Sequence, residues 1–212
     1  MEILEAISES VQEGDHVRAR ALTQQAAQKG IPADQVFHGG LIAGMNLVSD
    51  RFRRHEVFLP DLLLAAKAMN AGLDLLKPFL ARQNVPRLGK IVLGTVQGDL
   101  HDIGKNLVAV MLRGAGLEVI DLGYDVPSVR FVDAALTENV PIIGMSALLT
   151  TTMPRMKEVI GILGHRGLRG RIKTIIGGAP LSGEYAQEIG ADAYGYDAAN
   201  AVMRVKALLG LG

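Results

Sequence analysis

From Lys90 onward, short apolar runs rich in β-branched residues alternate with longer stretches whose apolar residues recur at helical spacing. Strands are expected near 90–96, 117–122, 141–146, 172–176 and 191–194, and helices near 103–114, 128–138, 153–165, 182–189 and 197–209. Strands separated by helices pair in parallel, so this half of the chain should form a five-stranded parallel sheet covered on both faces. Glycines and prolines gather where the chain must turn, at Gly123 to Pro127, Gly177 to Pro180 and Gly195.

The preceding half reads as helix throughout. Asp15 can cap a helix over Val17 to Gln28, and Gly30-Ile31-Pro32 interrupts the pattern. Asp34 can open a helix running through Phe37, Leu41, Met45 and Val48 toward Phe52. Pro60 suits the first turn of a last helix carrying Leu62, Leu63, Ala66, Met69, Leu73 and Leu76. Four such segments with short connections imply an all-α four-helix bundle over residues 1–83. Residues 84–89 lose periodicity and read as a linker, and residues 90–212 form an α/β domain of flavodoxin/Rossmann-like type.

With 212 residues and 49% hydrophobic content, the chain can bury two modest cores. Twenty-two basic and twenty-two acidic residues cancel, so nothing points to nucleic acid or an anionic membrane as a partner. The absence of cysteine excludes disulfides, thiolate metal sites and cysteine nucleophiles. No signal-like amino terminus and no apolar run of membrane-spanning length is present, which makes cytoplasmic residence the expectation.

The residues most suggestive of chemistry lie just after the first strand, in Gly98-Asp99-Leu100-His101-Asp102-Ile103-Gly104. Open α/β sheets place ligands in such strand-to-helix loops. A neutral imidazole ligates borderline metals well, and a carboxylate on its far nitrogen fixes the tautomer and raises basicity, a role open to Asp99 beside His101. Zinc would require further protein ligands, and His16, His38, His55 and His165 form no cluster with His101 in sequence. One protein ligand suits a metal already held by a macrocycle. Taken alone, Asp99 and His101 could equally cap the following helix, and Gly177-Gly178 could be an ordinary turn.

Together with Ser146-Ala147-Leu148 and Gly177-Gly178, this run resembles the DxHxxG, SxL, GG signature of the cobalamin-binding domain of methionine synthase and of the corrinoid methyltransferase proteins. The resemblance implies a cobalamin or related corrinoid, carried as methylcobalamin, whose cobalt takes His101 in place of the cofactor's own lower base. The displaced nucleotide tail would enter a slot kept open by Gly104, Gly177 and Gly178, with Ser146 bonding it, Leu148 packing along it and Thr150 nearby. Where methionine synthase has a serine that hydrogen-bonds the aspartate, this chain has Thr152, implying an Asp99-His101-Thr152 relay. The helical half resembles the family's cap, with Phe52, Leu59 and Leu62 at the positions that cover the methyl-bearing face; core packing alone would produce the same pattern.

The implied function is that of a corrinoid methyl carrier, a subunit acting with partner enzymes. A substrate methyltransferase would deliver a methyl group to Co(I), and an acceptor methyltransferase would remove it from methyl-Co(III), with a corrinoid reactivating protein as a further partner. Protonation of the Asp99-His101 pair would favour ligand release. A cobalamin-sensing regulator should carry a basic helix-turn-helix, for which the neutral amino-terminal region leaves no room. A mutase B12 subunit would need a substrate barrel on another chain, and a methyl-sized cap would crowd an adenosyl ligand. A methionine synthase fragment would need its catalytic and reactivation modules in trans.

Overall fold

A computed structural model describes residues 2–82 and 89–211, so the expected linker, Gly89 excepted, lies outside the described residues. The chain divides into two compact units, one helical and one α/β.

The helical unit begins with α1 (Glu2–Gln12) and α2 (His16–Gln28). Asp15 caps α2 as expected, its carboxylate accepting the backbone N–H groups of Val17 at 3.1 Å and Arg18 at 2.9 Å. The third segment departs from the expectation in two ways. It opens at α3 (Ala33–Val36) with Pro32 rather than Asp34 before the first turn, because proline fixes φ for a helix start and has no N–H to satisfy. Residues Phe37–Ile42 then widen into a π turn before α4 (Ala43–Arg53). A π turn rotates the helix phase, and here it lets Phe37, Leu41, Ile42, Met45 and Val48 all be buried. Glycine is needed in this stretch: a Cβ on Gly40 would lie 2.9 Å from Ile7 Cγ2, and one on Gly44 would lie 2.6 Å from the Ser8 carbonyl oxygen of α1. The last helix, α5 (Leu59–Arg82), has Pro60 in its first turn. The Asp61 carboxylate accepts the Phe58 N–H at 2.8 Å and so closes the helix start. Leu62, Ala66, Met69 and Leu76 are buried, whereas Leu63 points outward, 46% exposed.

The α/β unit contains β1 (Lys90–Thr95), α6 (Ile103–Gly114), β2 (Glu118–Asp121), α7 (Ser128–Thr137), β3 (Ile142–Ser146), α8 (Pro154–His165), β4 (Lys173–Gly177), α9 (Gly183–Ile189), β5 (Ala193–Gly195) and α10 (Ala198–Leu208). All four strand pairings are parallel, in the order β2-β1-β3-β4-β5. Side chains alternate between two apolar layers. On one face Val92, Ile143, Met145 and Ile176 pack with Phe131 of α7, Val159 of α8 and Ile189 of α9. On the other, Ile91, Ile142 and Ile175 pack with Leu112 of α6 and Ala201 and Val205 of α10. Strand order reverses between β1 and β3, which opens a crevice at the carboxyl ends of those two strands. Among the described residues, no helix is long and apolar enough to cross a membrane.

Candidate functional site

The two segments flanking that crevice, Gln97–Asp102 after β1 and Ala147–Met153 after β3, carry most of the residues singled out in the sequence. Asp99 is their meeting point. Its side chain has no exposed surface, and its two oxygens receive five donors. Oδ1 accepts the His101 N–H at 3.1 Å and faces His101 Nδ1 at 2.8 Å. Oδ2 accepts the N–H groups of Leu148 at 2.7 Å and Leu149 at 3.1 Å, with the Thr152 hydroxyl at 2.9 Å. Burial alone would raise the Asp99 pKa. The bonds from the Leu148 and His101 N–H groups, the imidazole and Thr152 reverse that and hold the carboxyl well below the usual carboxylate range.

An ionised Asp99 only accepts hydrogen bonds, so Nδ1 of His101 carries a proton and Nε2 of the neutral ring is left with its lone pair. The imidazole is 52% exposed. Asp99, His101 and Thr152 therefore come together, and threonine supplies the hydroxyl within bonding distance where the resemblance has serine. Among the described residues no group of three or more His, Asp or Glu side chains could hold a metal ion. The donor set offered here is a single buttressed imidazole, which fits a metal with its equatorial positions filled by a macrocycle.

Below the crevice, Thr95, Ser146, Gly177 and Gly195 form one in-register row across β1, β3, β4 and β5. By alternation the row lies on the α6/α10 face, and a Cβ on Gly195 would sit 2.9 Å from Ala201 Cβ of α10. Gly104 is the second residue of α6, and a Cβ there would meet nothing within 4 Å. Gly177 and Gly178 have a different local reason to be glycine. A Cβ on Gly178, at φ +143°, would lie 1.9 Å from the Ala147 carbonyl oxygen, and one on Gly177 would lie 3.1 Å from the Gly195 carbonyl oxygen. These two glycines are set by backbone approach between neighbouring segments.

Around the imidazole the surface is apolar: Leu100, Ile103, Leu148 and Leu149 are all exposed, and so is the polar Thr150. Gly98, at φ +85°, turns the chain into the histidine loop. Asp102 begins the turn into α6, its carboxylate accepting from Asn106 Nδ2 at 2.9 Å. Phe52, Leu59 and Leu62 belong to the helical unit. Phe52 is partly buried, Leu59 is exposed and Leu62 is fully buried, as a core side chain would be.

Sequence reasoning missed several residues of the site. Asp125, in the left-handed region at φ +54°, accepts the Gly98 N–H at 2.7 Å and donates its own N–H to the Asp99 carbonyl at 3.1 Å. The Thr95 hydroxyl donates to the His101 carbonyl at 3.1 Å. Lys105 is buried against Asp121. None of these has a local pattern; each depends on which strand ends become neighbours.

Residues 89–203 match one B12 binding domain family, and residues 3–77 match a second family also described as a B12 binding domain. The chain is 43% identical to dimethylamine corrinoid protein 2 of Methanosarcina acetivorans, over 98% of this chain and 96% of that one. It is 40% identical to trimethylamine corrinoid protein 1 of Methanosarcina mazei, over 98% and 97%. Its structure resembles a chain of the methanol:cobalamin methyltransferase complex MtaBC from Methanosarcina barkeri, with TM-score 0.89 and 30% identity over 99% of this chain and 80% of that one. With these matches along both units, the chain belongs to the B12-binding corrinoid proteins.

Proposed function

We propose that the protein is a methyl-carrying corrinoid subunit: it binds cobalamin or a related corrinoid, is methylated by a substrate methyltransferase and is demethylated by an acceptor methyltransferase. The observation that carries this reading is the Asp99–His101 pair, which leaves Nε2 free beside an exposed apolar rim. When bound, the corrinoid supplies a cobalt that can take up and give up a methyl group. The chain's own part would be to hold it: His101 Nε2 would ligate the metal, Ser146 and Thr150 would offer polar contacts to the nucleotide tail, and Leu148 would pack along that tail. Gly98, Leu100, Asp102 and Gly104 shape the mouth of that slot.

Asp99 orients the imidazole and keeps Nδ1 protonated, while Leu148 N–H, Leu149 N–H and Thr152 compensate its charge. Of the helical residues expected to cover the cofactor, Phe52 and Leu59 keep exposed surface, whereas Leu62 is fully buried in the core of its own unit. The division of labour runs at residues 1–83, 84–89 and 90–212, cap, linker and carrier, with a corrinoid reactivating protein as a third partner. The balanced charge gives no broad electrostatic pull toward nucleic acid or an anionic membrane. The relatives are named for different methyl donors, dimethylamine, trimethylamine and methanol, which supports donor choice by the partner enzyme rather than by the carrier.

The test is anaerobic loading with methylcobalamin followed by demethylation to a thiol in the presence of a methylcobamide:thiol methyltransferase. Stoichiometric loading and methyl transfer by the wild type, with transfer greatly slowed by His101→Ala, is the expected result. A wild type that does not retain the corrinoid would rule the reading out.

A further inference from the structure

Beside the histidine loop, yet outside the Asp99 network, the α/β unit buries a cation. Lys105, in the first turn of α6, has a side chain only 2% exposed. Its Nζ lies 2.7 Å from both carboxylate oxygens of Asp121, at the end of β2, and 2.7 Å from Asn106 Oδ1. Removing an ammonium and a carboxylate from water offsets most of what their attraction returns, so such a pair adds little net stability. It does fix geometry, and here it joins two chains of hydrogen bonds that end on consecutive residues, His101 and Asp102.

The first chain runs through the sheet edge. Asp121 Oδ1 accepts the Gly123 N–H at 2.9 Å, the Gly123 carbonyl accepts the Thr95 N–H at 2.9 Å, and the Thr95 hydroxyl donates to the His101 carbonyl. The second runs along the helix. Asn106, whose Oδ1 receives Lys105, donates Nδ2 to the Asp102 carboxylate and its backbone N–H to the Asp102 carbonyl at 2.7 Å. His101 and Asp102 are consecutive, so one chain holds the His101 carbonyl and the other holds the residue that follows it. Asp99 orients the ring, but a half-exposed ring is only as well placed as the backbone that carries it.

We propose that Lys105 and Asp121 form a positioning pair for His101: by holding the His101 carbonyl through one chain and Asp102 through the other, they set how strongly Nε2 ligates the corrinoid metal. This rests on the histidine-ligated reading above. Removing the pair should shift the balance from ligated toward unligated metal without abolishing corrinoid binding, which the tail slot supports separately.

The experiment uses full-length protein with nitrogen-15-labelled histidine, loaded anaerobically with cob(II)alamin and read by electron paramagnetic resonance. Histidine ligation gives a nitrogen-15 doublet splitting, whereas the cofactor's own unlabelled base gives a triplet. Wild type should show the doublet. Lys105→Met and Asp121→Asn should each lower the ligated-to-unligated ratio by about tenfold, as loss of a ligand-orienting partner does. The double variant should be no worse than either single one, since the two residues act as a unit. Equilibrium dialysis should find corrinoid still bound in all of them.

An unchanged ratio in both single variants, whatever their melting temperatures, would overturn the proposal. So would failure of both to fold, which would make the pair structural. A wild type lacking the doublet would instead refute histidine ligation itself, and the positioning role with it.

Discussion

The two units solve the same packing problem with different materials. The helical unit is closed by apolar side chains and by glycines at helix crossings, where Gly40 and Gly44 let α1 approach the π-turned segment. The α/β unit adds buried polar groups held in register, with Asp99 taking five donors and Lys105 joined to Asp121. Apolar packing tolerates repacking when volume is kept. A buried carboxylate does not tolerate losing its donors, because the charge remains when the partner goes. Chemistry that needs one side chain in one orientation is accordingly found in the unit built around directional bonds.

The contrast can be broken by substitution, and the sequence provides a probe for each side. All four tyrosines lie in the α/β unit, at Tyr124, Tyr185, Tyr194 and Tyr196, so tyrosine fluorescence follows that unit while far-ultraviolet dichroism follows both. The largest effect is expected from Gly178→Ala. Its Cβ would overlap the Ala147 carbonyl, and displacing backbone at that point should cost more than about 4 kcal/mol, seen as loss of the tyrosine transition in urea. Gly44→Ala, its counterpart in the helical unit, presses on the Ser8 carbonyl at 2.6 Å. It should cost about 2 kcal/mol, since a helix can shift where a paired strand end cannot, and should move the dichroism transition more than the tyrosine one.

Asp99→Asn should cost about 2 kcal/mol at neutral pH, and its pH dependence carries the sign. The folded carboxyl sits below the unfolded value of 3.8, so its contribution is present above that pH and fades as pH falls below it. The stability gap between wild type and Asp99→Asn, measured by urea unfolding, should therefore narrow on acidification below about pH 4. The smallest effect is at the α2 cap: Asp15→Ala frees the Val17 and Arg18 N–H groups and should lower stability by about 1 kcal/mol in the same assay.

What could be read in the sequence follows the same division. Periodicity placed the helices and strands of the α/β unit to within one residue, because each element there buries a repeating face. β5 is the exception, expected at 191–194 and found at Ala193–Gly195. Asp192 is occupied beforehand, its carboxylate accepting the N–H and hydroxyl of Thr174 while its N–H reaches the Thr174 carbonyl. The π turn was invisible for a related reason: Phe37, Leu41, Met45 and Val48 suit an ordinary helix, and only the approach of α1 forces the extra residue. At the site, Asp99, His101, Ser146 and the paired glycines were legible as a spaced motif, and Thr152 by its distance from the histidine. Thr95, Lys105, Asp121 and Asp125 were not, since nothing local marks a lysine that will be buried or an aspartate that will turn left-handed.

In the proposed function His101 is the metal's protein ligand, with Asp99 fixing the nitrogen it presents. The most direct measurement is the ultraviolet–visible spectrum of anaerobically loaded methylcobalamin on wild type and on His101→Ala. The account predicts a ligated spectrum for the wild type and an unligated one for the variant, with the corrinoid still bound by its tail in both. Identical spectra from the two proteins would contradict it.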